Sequence, residues 1–112
     1  MAAIANLTID QGTTFSSDVT VKDANGEPFN LTGYTAAAKM AKGYASTRTR
    51  SNLNTSIATD AATGVVTLSL TATESSALDA ERYVYDLEIT SDVGAVTRVI
   101  EGLITVRPQV TT

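Results

Sequence analysis

Cysteine and histidine are both absent from this sequence of 112 residues. Without cysteine, the chain cannot form a disulfide framework, a thiolate zinc site, an iron–sulfur cluster or a cysteine nucleophile. Without histidine, it lacks the usual general base near pH 7, the commonest transition-metal ligand and every nucleophile–histidine pair. We therefore expect a protein that is not an enzyme and that uses no cofactor and no metal.

Long apolar runs and an excess of basic charge are also missing. Residues 1–6 have no basic region before their short apolar stretch, which does not fit a secretory signal peptide, and nothing approaches the roughly 20 apolar residues that span a bilayer. Eight basic and twelve acidic side chains give a net charge of -4, which disfavours nucleic acid and anionic membranes as partners. The sequence thus predicts a chain made in a cytoplasm, with no nucleic-acid or membrane partner.

The residues that are present favour β structure. Nineteen threonines, together with valine, isoleucine and tyrosine, suit pleated and half-buried strands, whereas sixteen alanines raise helix propensity. We therefore give the alternation of apolar and polar residues more weight than propensity. The length fits one domain, since single domains most often have about 100–150 residues, and we expect a single domain over residues 1–112.

Alternation predicts a series of short strands with turn signals between them. An Asn25-Gly26 turn is the strongest of these signals, because both residues tolerate a positive φ. A polar segment over 43–54 is predicted to be a long loop, and one helical turn is expected near residues 73–78. The predicted strands are 4–9, 15–22, 35–42, 55–59, 65–70, 82–90 and 95–106.

Seven to eight short strands at this spacing predict an all-β, antiparallel β-sandwich, and the unequal strands and the long loop disfavour a barrel. Gly102, inside the last strand, is expected to mark a bulge or a close backbone approach. The side chains that share the inward parity form the predicted core: Phe15, Val19, Val21, Ala36, Ala38, Met40, Val66, Leu68, Leu70, Tyr83, Tyr85, Leu87, Ile89, Ile100 and Ile104.

Two groups of acidic residues are candidates for chemical sites. Asp23, Asn25 and Glu27 faintly resemble a calcium loop, but too few oxygen ligands follow, and a plain turn is the better interpretation. Asp86 and Glu88 lie on one face of a predicted strand and could act as an acid–base pair. With Arg98 available across the hairpin, an exposed ion-pair ladder is favoured instead.

Three residues of the polar segment are the candidate partner contacts. Arg48 and Arg50 suit recognition of a carboxylate, phosphate or sulfate, because the guanidinium group is planar and binds such groups in a bidentate manner. Tyr44 is the tyrosine best placed to be exposed, whereas Tyr83 and Tyr85 lie at core positions, where one hydroxyl is expected to bond to the backbone. An ordinary polar surface loop is the alternative interpretation.

Three segments carry a resemblance to a known family: LTIDQGTTFSSDVTVKDANGEPFNLTGYTAAAKM, GVVTLSLTATESSALDAERYVYDLEIT and GAVTRVIEGLITVRP. Together they resemble the small immunoglobulin-like domains of tailed-phage virion proteins, such as the N-terminal domain of phage baseplate upper proteins. The resemblance covers nearly the whole chain, and we expect a stand-alone domain without a fibre, coiled coil or receptor-binding head. The residues that carry it are Gln11-Gly12, Asp23–Gly26, Asn30–Tyr34, Leu68–Thr71, Thr73-Glu74, Tyr83–Asp86, Gly94 and Glu101-Gly102.

This resemblance implies an immunoglobulin-like sandwich that serves as a structural protein of the virion. The expected role is an adaptor or attachment module of the tail, baseplate or neck, which contacts other virion proteins or further copies of itself. A decoration protein of the capsid head is the first alternative. An alternative of another class is a carbohydrate-binding or adhesin-like module, with a shallow groove lined by Tyr44 and polar loop groups.

Overall fold

The computed structural model describes residues 3–45 and 49–111 of the chain, and strands make up most of its regular structure. A 3₁₀ turn over Ala61–Thr63 and one short helix, α1 (Ala72–Ser76), interrupt the strands. The strands in chain order are β1 (Ala3–Ile4), β2 (Leu7–Asp10), β3 (Phe15–Thr20), β4 (Thr35–Ala41), β5 (Ser51–Ile57), β6 (Val65–Leu70), β7 (Arg82–Thr90) and β8 (Val96–Arg107).

The strands form one curled sheet in the order β1-β8-β7-β4-β5-β6-β3, and β2 also pairs with β8. Strand β5 turns the corner of the sheet. Its residues Ser51–Leu53 pair with β4, and its residues 54–57 pair with β6. The two ends of the curled sheet thereby face each other across a common core.

The sheet is mixed, so the prediction of an entirely antiparallel arrangement is wrong for the N-terminal strands. Both β1 and β2 run parallel to β8, with Leu7 opposite Ile104, while all other strand pairs are antiparallel. Alternation of side chains shows which residues face inward, but it contains no information on the direction of the neighbouring strand.

The predicted core is confirmed, with Ala36 half-buried and the other predicted residues buried. In β7 the inward residues alternate strictly with partly exposed ones, as expected for a strand with one face on the core. Further apolar residues complete the core from the loops and outer strands. These are Ile9, Leu31, Leu53, Leu78 and Val106.

The polar segment is shorter than predicted because β5 begins at Ser51 and not at Thr55. Leu53 is only 4% exposed and lies opposite Ala38 of β4. A single apolar side chain among polar neighbours did not produce a recognisable alternation. The burial of Leu53 nevertheless fixes the register of the strand.

The predicted helical segment is confirmed, although α1 begins earlier than expected. The hydroxyl of Thr71 accepts a hydrogen bond from the Glu74 amide at 3.1 Å, and the Glu74 carboxylate accepts one from the Thr71 amide at 2.8 Å. This is a complete capping box, which satisfies two amides that would otherwise lack partners. The hydrogen bonds hold the pKa of the Glu74 carboxyl below its usual value, chiefly through the Thr71 amide.

The close approach predicted at Gly102 is also confirmed. A Cβ atom at this position would collide with the carbonyl oxygen of Ala5 and crowd the side chain of Asn6. Asn6 in turn accepts a hydrogen bond from the amide of Leu103 at 3.0 Å. The segment between β1 and β2 therefore lies directly on the backbone of β8.

Candidate interaction site

The loop between β4 and β5 contains the candidate residues Tyr44 and Arg50. Tyr44 is 66% exposed, as predicted. The Arg50 guanidinium donates hydrogen bonds to three loop carbonyls: those of Gly43 at 3.3 Å, Tyr44 at 3.1 Å and Ala45 at 3.2 Å. Arg50 thus shapes the loop that presents Tyr44, a role the sequence did not indicate.

The third candidate, Arg48, lies outside the described residues. Whether Tyr44, Arg48 and Arg50 contact a partner therefore stays a prediction. A shallow hollow of about 60 Å³ lies beside Tyr44 and Arg50, and the outer-face side chains of Lys39, Val84 and Asp86 also line it. Aromatic, cationic and acidic groups meet there.

The two acidic groups singled out in the sequence take part in ordinary structural contacts. Asp86 forms an ion pair with Arg98, with 3.1 Å between the carboxylate oxygen and the guanidinium Nε, as the ion-pair interpretation predicted. The Asp23 carboxylate accepts hydrogen bonds from the amides of Asn25 and Glu27 at 2.9 and 3.0 Å, within the predicted turn. Among residues 3–45 and 49–111, no group of three or more acidic side chains is arranged to hold a metal ion.

An exposed ionic cluster lies at one end of the sheet, where the sequence predicted none. Lys42 lies 2.5 Å from Asp79 and 2.7 Å from Glu81. Hydrogen bonds to the two carboxylates, first that of Asp79, raise the pKa of Lys42. Because 37 positions separate Lys42 from Asp79 along the chain, no local pattern could have shown the cluster.

Both tyrosines of the core form hydrogen bonds between their hydroxyl groups and the backbone. The sequence predicted such a bond for one of them, and the structure shows it for both. The Tyr83 hydroxyl donates to the Asp79 carbonyl at 3.2 Å and accepts from the Asp79 amide at 3.0 Å. The Tyr85 hydroxyl donates to the Ala5 carbonyl at 2.5 Å. Burial raises the pKa of Tyr85 to about 12. These hydrogen bonds help to hold the fold together.

One side of β3 is an unpaired sheet edge, which the sequence did not identify. Within the described part of the chain, β3 pairs only with β6 and ends the sheet. A groove of about 560 Å³ separates this edge from β1, and its lining includes Ile4, Val19 and Ile100. Ile4 is 77% exposed. Open edges and adjacent apolar side chains of this kind can accept a further strand.

No protein-family model matches this chain, and a search of curated proteins finds no significant match. No helix within residues 3–45 and 49–111 is long and apolar enough to cross a membrane.

Proposed function

We propose that this chain is an immunoglobulin-like structural protein of a tailed-phage virion, acting through protein–protein contacts. The single observation that carries the proposal is where the residues behind the family resemblance lie. Several of them make contacts that tie the framework together, and this supports a structural role for the residues that carry the resemblance. Three of these residues illustrate this role.

Gln11 joins three parts of the chain. Its side chain donates to the Leu78 carbonyl at 2.8 Å and accepts from the Gln109 amide at 3.0 Å. Tyr85 and Gly102 bring β7 and β8 against Ala5. All three therefore connect the N-terminal strands to the rest of the sheet.

The strand pairings support the immunoglobulin-like part of the proposal. In that fold, strands B and E pair in one sheet, and strands C, F and G pair in the other. Here β3 pairs with β6, as strand B pairs with strand E. Strand β7 lies between β4 and β8, as strand F lies between strands C and G. Tyr83, at the start of β7, bonds to the backbone four residues upstream, in the manner of the tyrosine corner of such domains.

Two exposed surfaces, the β3 edge and the β4–β5 loop, are suited to contacts with other subunits. The β3 edge presents backbone donors and acceptors, and the β4–β5 loop presents an exposed aromatic ring beside charged groups. A subunit that binds neighbours in a particle needs a rigid framework with such edges and loops. We place the protein in the tail, baseplate or neck, with head decoration as the alternative position.

The test is to find the chain in purified particles of the virus that encodes it. Mass spectrometry of gradient-purified particles should detect the chain at a fixed copy number, and gold-labelled antibody should mark the tail end. Label on the head surface would change the position and keep the structural role. Particles without the chain would contradict the proposal.

The loop's contribution is tested in the same particles. Because Arg50 holds three loop carbonyls, its replacement would disturb the loop as well as its charge. Arg48→Ser and Tyr44→Ala are the variants of choice, with Arg82→Ser as a matched loss of one cation at an exposed position outside the hollow. Wild-type copy numbers for both loop variants would remove the loop from the interface.

A carbohydrate-binding module is the second candidate, favoured by the hollow beside Tyr44. An exposed tyrosine ring next to Lys39 and Asp86 can stack on a sugar while the charged groups bond to its hydroxyls. A glycan array with wild-type protein tests this candidate. Binding that Tyr44→Ala abolishes would support it, and an array without signal would exclude it for the glycans displayed.

A further inference from the structure

The open edge of β3 has a defined set of backbone groups. The Val21 amide donates to the Gly64 carbonyl at 2.7 Å, on the β6 side. Backbone groups alternate between the two sides of a strand. The amides and carbonyls of Ser16, Asp18 and Thr20 in β3, and of Lys22 just beyond its end, therefore face the open side.

The side chains along this edge are polar and carry opposite charges. Asp18, Thr20 and Lys22 are all exposed and share one parity. Asp18 precedes Thr20 by two positions, and Lys22 follows it by two. The row is therefore an acid and a base placed symmetrically around a threonine.

This symmetry makes the edge complementary to itself. When two copies of the segment lie antiparallel with Thr20 opposite Thr20, each Asp18 lies opposite Lys22 of the other copy. Directly opposite residues have Cβ atoms about 4.5–5.5 Å apart, close enough for an ion pair. The same register sets the open backbone groups of Asp18, Thr20 and Lys22 against those of the other copy, as a two-fold interface requires.

We propose that a second copy of this chain docks on the β3 edge in this register, joining the two sheets into one across a two-fold axis. The use of the contact in a virion rests on the function proposed above. The added strand would also cover part of the groove lined by Ile4 and Val19, removing apolar surface from water. An acidic or a basic partner strand would match only one end of the row, whereas a second copy matches both.

Charge exchange tests the register directly. Asp18→Lys alone sets two lysine side chains against each other across the interface, and Lys22→Asp alone sets two aspartates against each other. Each single variant should therefore stay monomeric. In a mixture of the two variants, one copy presents two lysines and the other presents two aspartates, so a heterodimer has opposite charges at both ends of the row. Heterodimers should therefore form. The double variant Asp18→Lys/Lys22→Asp should form homodimers again.

The measurement is sedimentation velocity of the full chain from about 10 µM to about 1 mM, a range suited to small and weak interfaces. Asp92→Lys and Lys39→Asp are the matched controls, since they make the same changes of net charge at exposed positions away from β3. Both controls should dimerise like the wild type. Thermal melts should show that every variant is folded, because Asp18→Lys also removes an acceptor from Thr67.

The backbone part of the contact needs its own variant. Thr20→Pro removes the open-side amide at the two-fold axis and leaves the Val21 amide on Gly64, since proline is tolerated at an edge whose amide faces solvent. It should abolish dimerisation while the chain remains folded. Hydrogen exchange at Asp18, Thr20 and Lys22 should slow as the wild-type concentration rises.

Several results would overturn the proposal. The first is a wild type that is monomeric at about 1 mM. The second is a dimer that forms even in both single charge variants. The third is a double variant that stays monomeric. If the charges instead protect the edge from pairing, Asp18→Asn/Lys22→Gln would associate more strongly than the wild type, which also contradicts it. None of these results bears on whether particles contain the chain, so the two proposals fail separately.

Discussion

Leu87 shows how a single side chain supports this fold. It is fully buried in β7, the strand that lies between β4 and β8. Truncation there leaves a cavity that the surrounding strands cannot close without moving the centre of the sheet.

We predict that Leu87→Ala lowers the free energy of unfolding by about 2–5 kcal/mol, the range for large-to-small changes in well-packed cores. Denaturant melts followed by circular dichroism measure this, with Leu103→Ala on the exposed outer face of β8 as the control. A loss below about 0.5 kcal/mol, as at ordinary surface positions, would mean that the faces of β7 are assigned the wrong way round.

Residue-scale features divide into those that local patterns encode and those that they do not. The burial of Tyr83, Tyr85 and Leu87 follows from strict alternation in one segment. By contrast, the contact between Lys42 and Asp79 depends on the fold bringing distant segments together. Arg50 illustrates a third case, because its residue type suggested partner binding while its bonds run to its own loop.

At the scale of elements, the sequence predicts which segments form strands better than it predicts which strands pair with each other. The alternation in β3 is clear, yet nothing in it shows that one side of the strand is unpaired. The start of β5 at Ser51 differs from the predicted start because Leu53 stands alone among polar residues and produces no alternation. The parallel pairing of β1 and β2 with β8 could not be predicted, since side-chain order is independent of strand direction.

Gly102 joins two elements whose contact the sequence did anticipate. The absence of a side chain lets the Ala5 carbonyl lie against β8, where Ala5 also accepts the Tyr85 hydroxyl bond. A methyl group there would have to displace backbone, which is costlier than moving a flexible side chain.

We therefore predict that Gly102→Ala destabilises the chain by about 1–3 kcal/mol, as overpacking commonly does. Hydrogen exchange should quicken at Ile4 and Ala5 before it quickens in β7. Gly94→Ala is the contrasting variant, because nothing lies near a Cβ there and only its positive φ of 88° is strained. Unchanged exchange at Ala5 in Gly102→Ala would show that this segment does not depend on the close approach.

At the scale of the whole molecule, charged contacts link the two ends of the chain and respond to acid. Arg107 of β8 donates to Asp10 of β2 at 2.7 Å, and this bond holds the pKa of the Asp10 carboxyl below its usual value. The capping box lowers the pKa of Glu74 in the same way. A carboxyl whose pKa is lower in the folded state stabilises the fold above its unfolded pKa and loses this contribution as the pH falls through the folded value.

The free energy of unfolding should therefore decline as the pH falls below about 4.5, near the ordinary pKa of such carboxyls. Asp10→Asn and Glu74→Gln should each make the decline shallower, because each removes one carboxyl that takes up a proton more readily in the unfolded state. Urea melts between about pH 2 and about pH 6 measure the slope, and Asp92→Asn, which changes an exposed turn residue, serves as the control. An equal slope in all variants would contradict the assignment.

The alkaline limb of the same profile depends on Tyr85, whose hydroxyl donates to the Ala5 carbonyl. Burial raises the pKa of Tyr85 to about 12, from an ordinary value of 10.0. A group whose pKa is raised in the folded state stabilises the fold fully below its unfolded pKa and loses that contribution as the pH rises through the folded value. The free energy of unfolding should thus fall between about pH 10 and about pH 12.

Replacing Tyr85 with phenylalanine tests this assignment. Tyr85→Phe should remove this part of the alkaline fall, and it should lower stability at neutral pH because the hydrogen bond to Ala5 is lost. Absorbance at the tyrosinate band should show one of the four tyrosines titrating late in the folded wild type. Loss of that late phase in Tyr85→Phe, but not in Tyr44→Phe, identifies the group, and a late phase retained in Tyr85→Phe would place the raised pKa on another tyrosine.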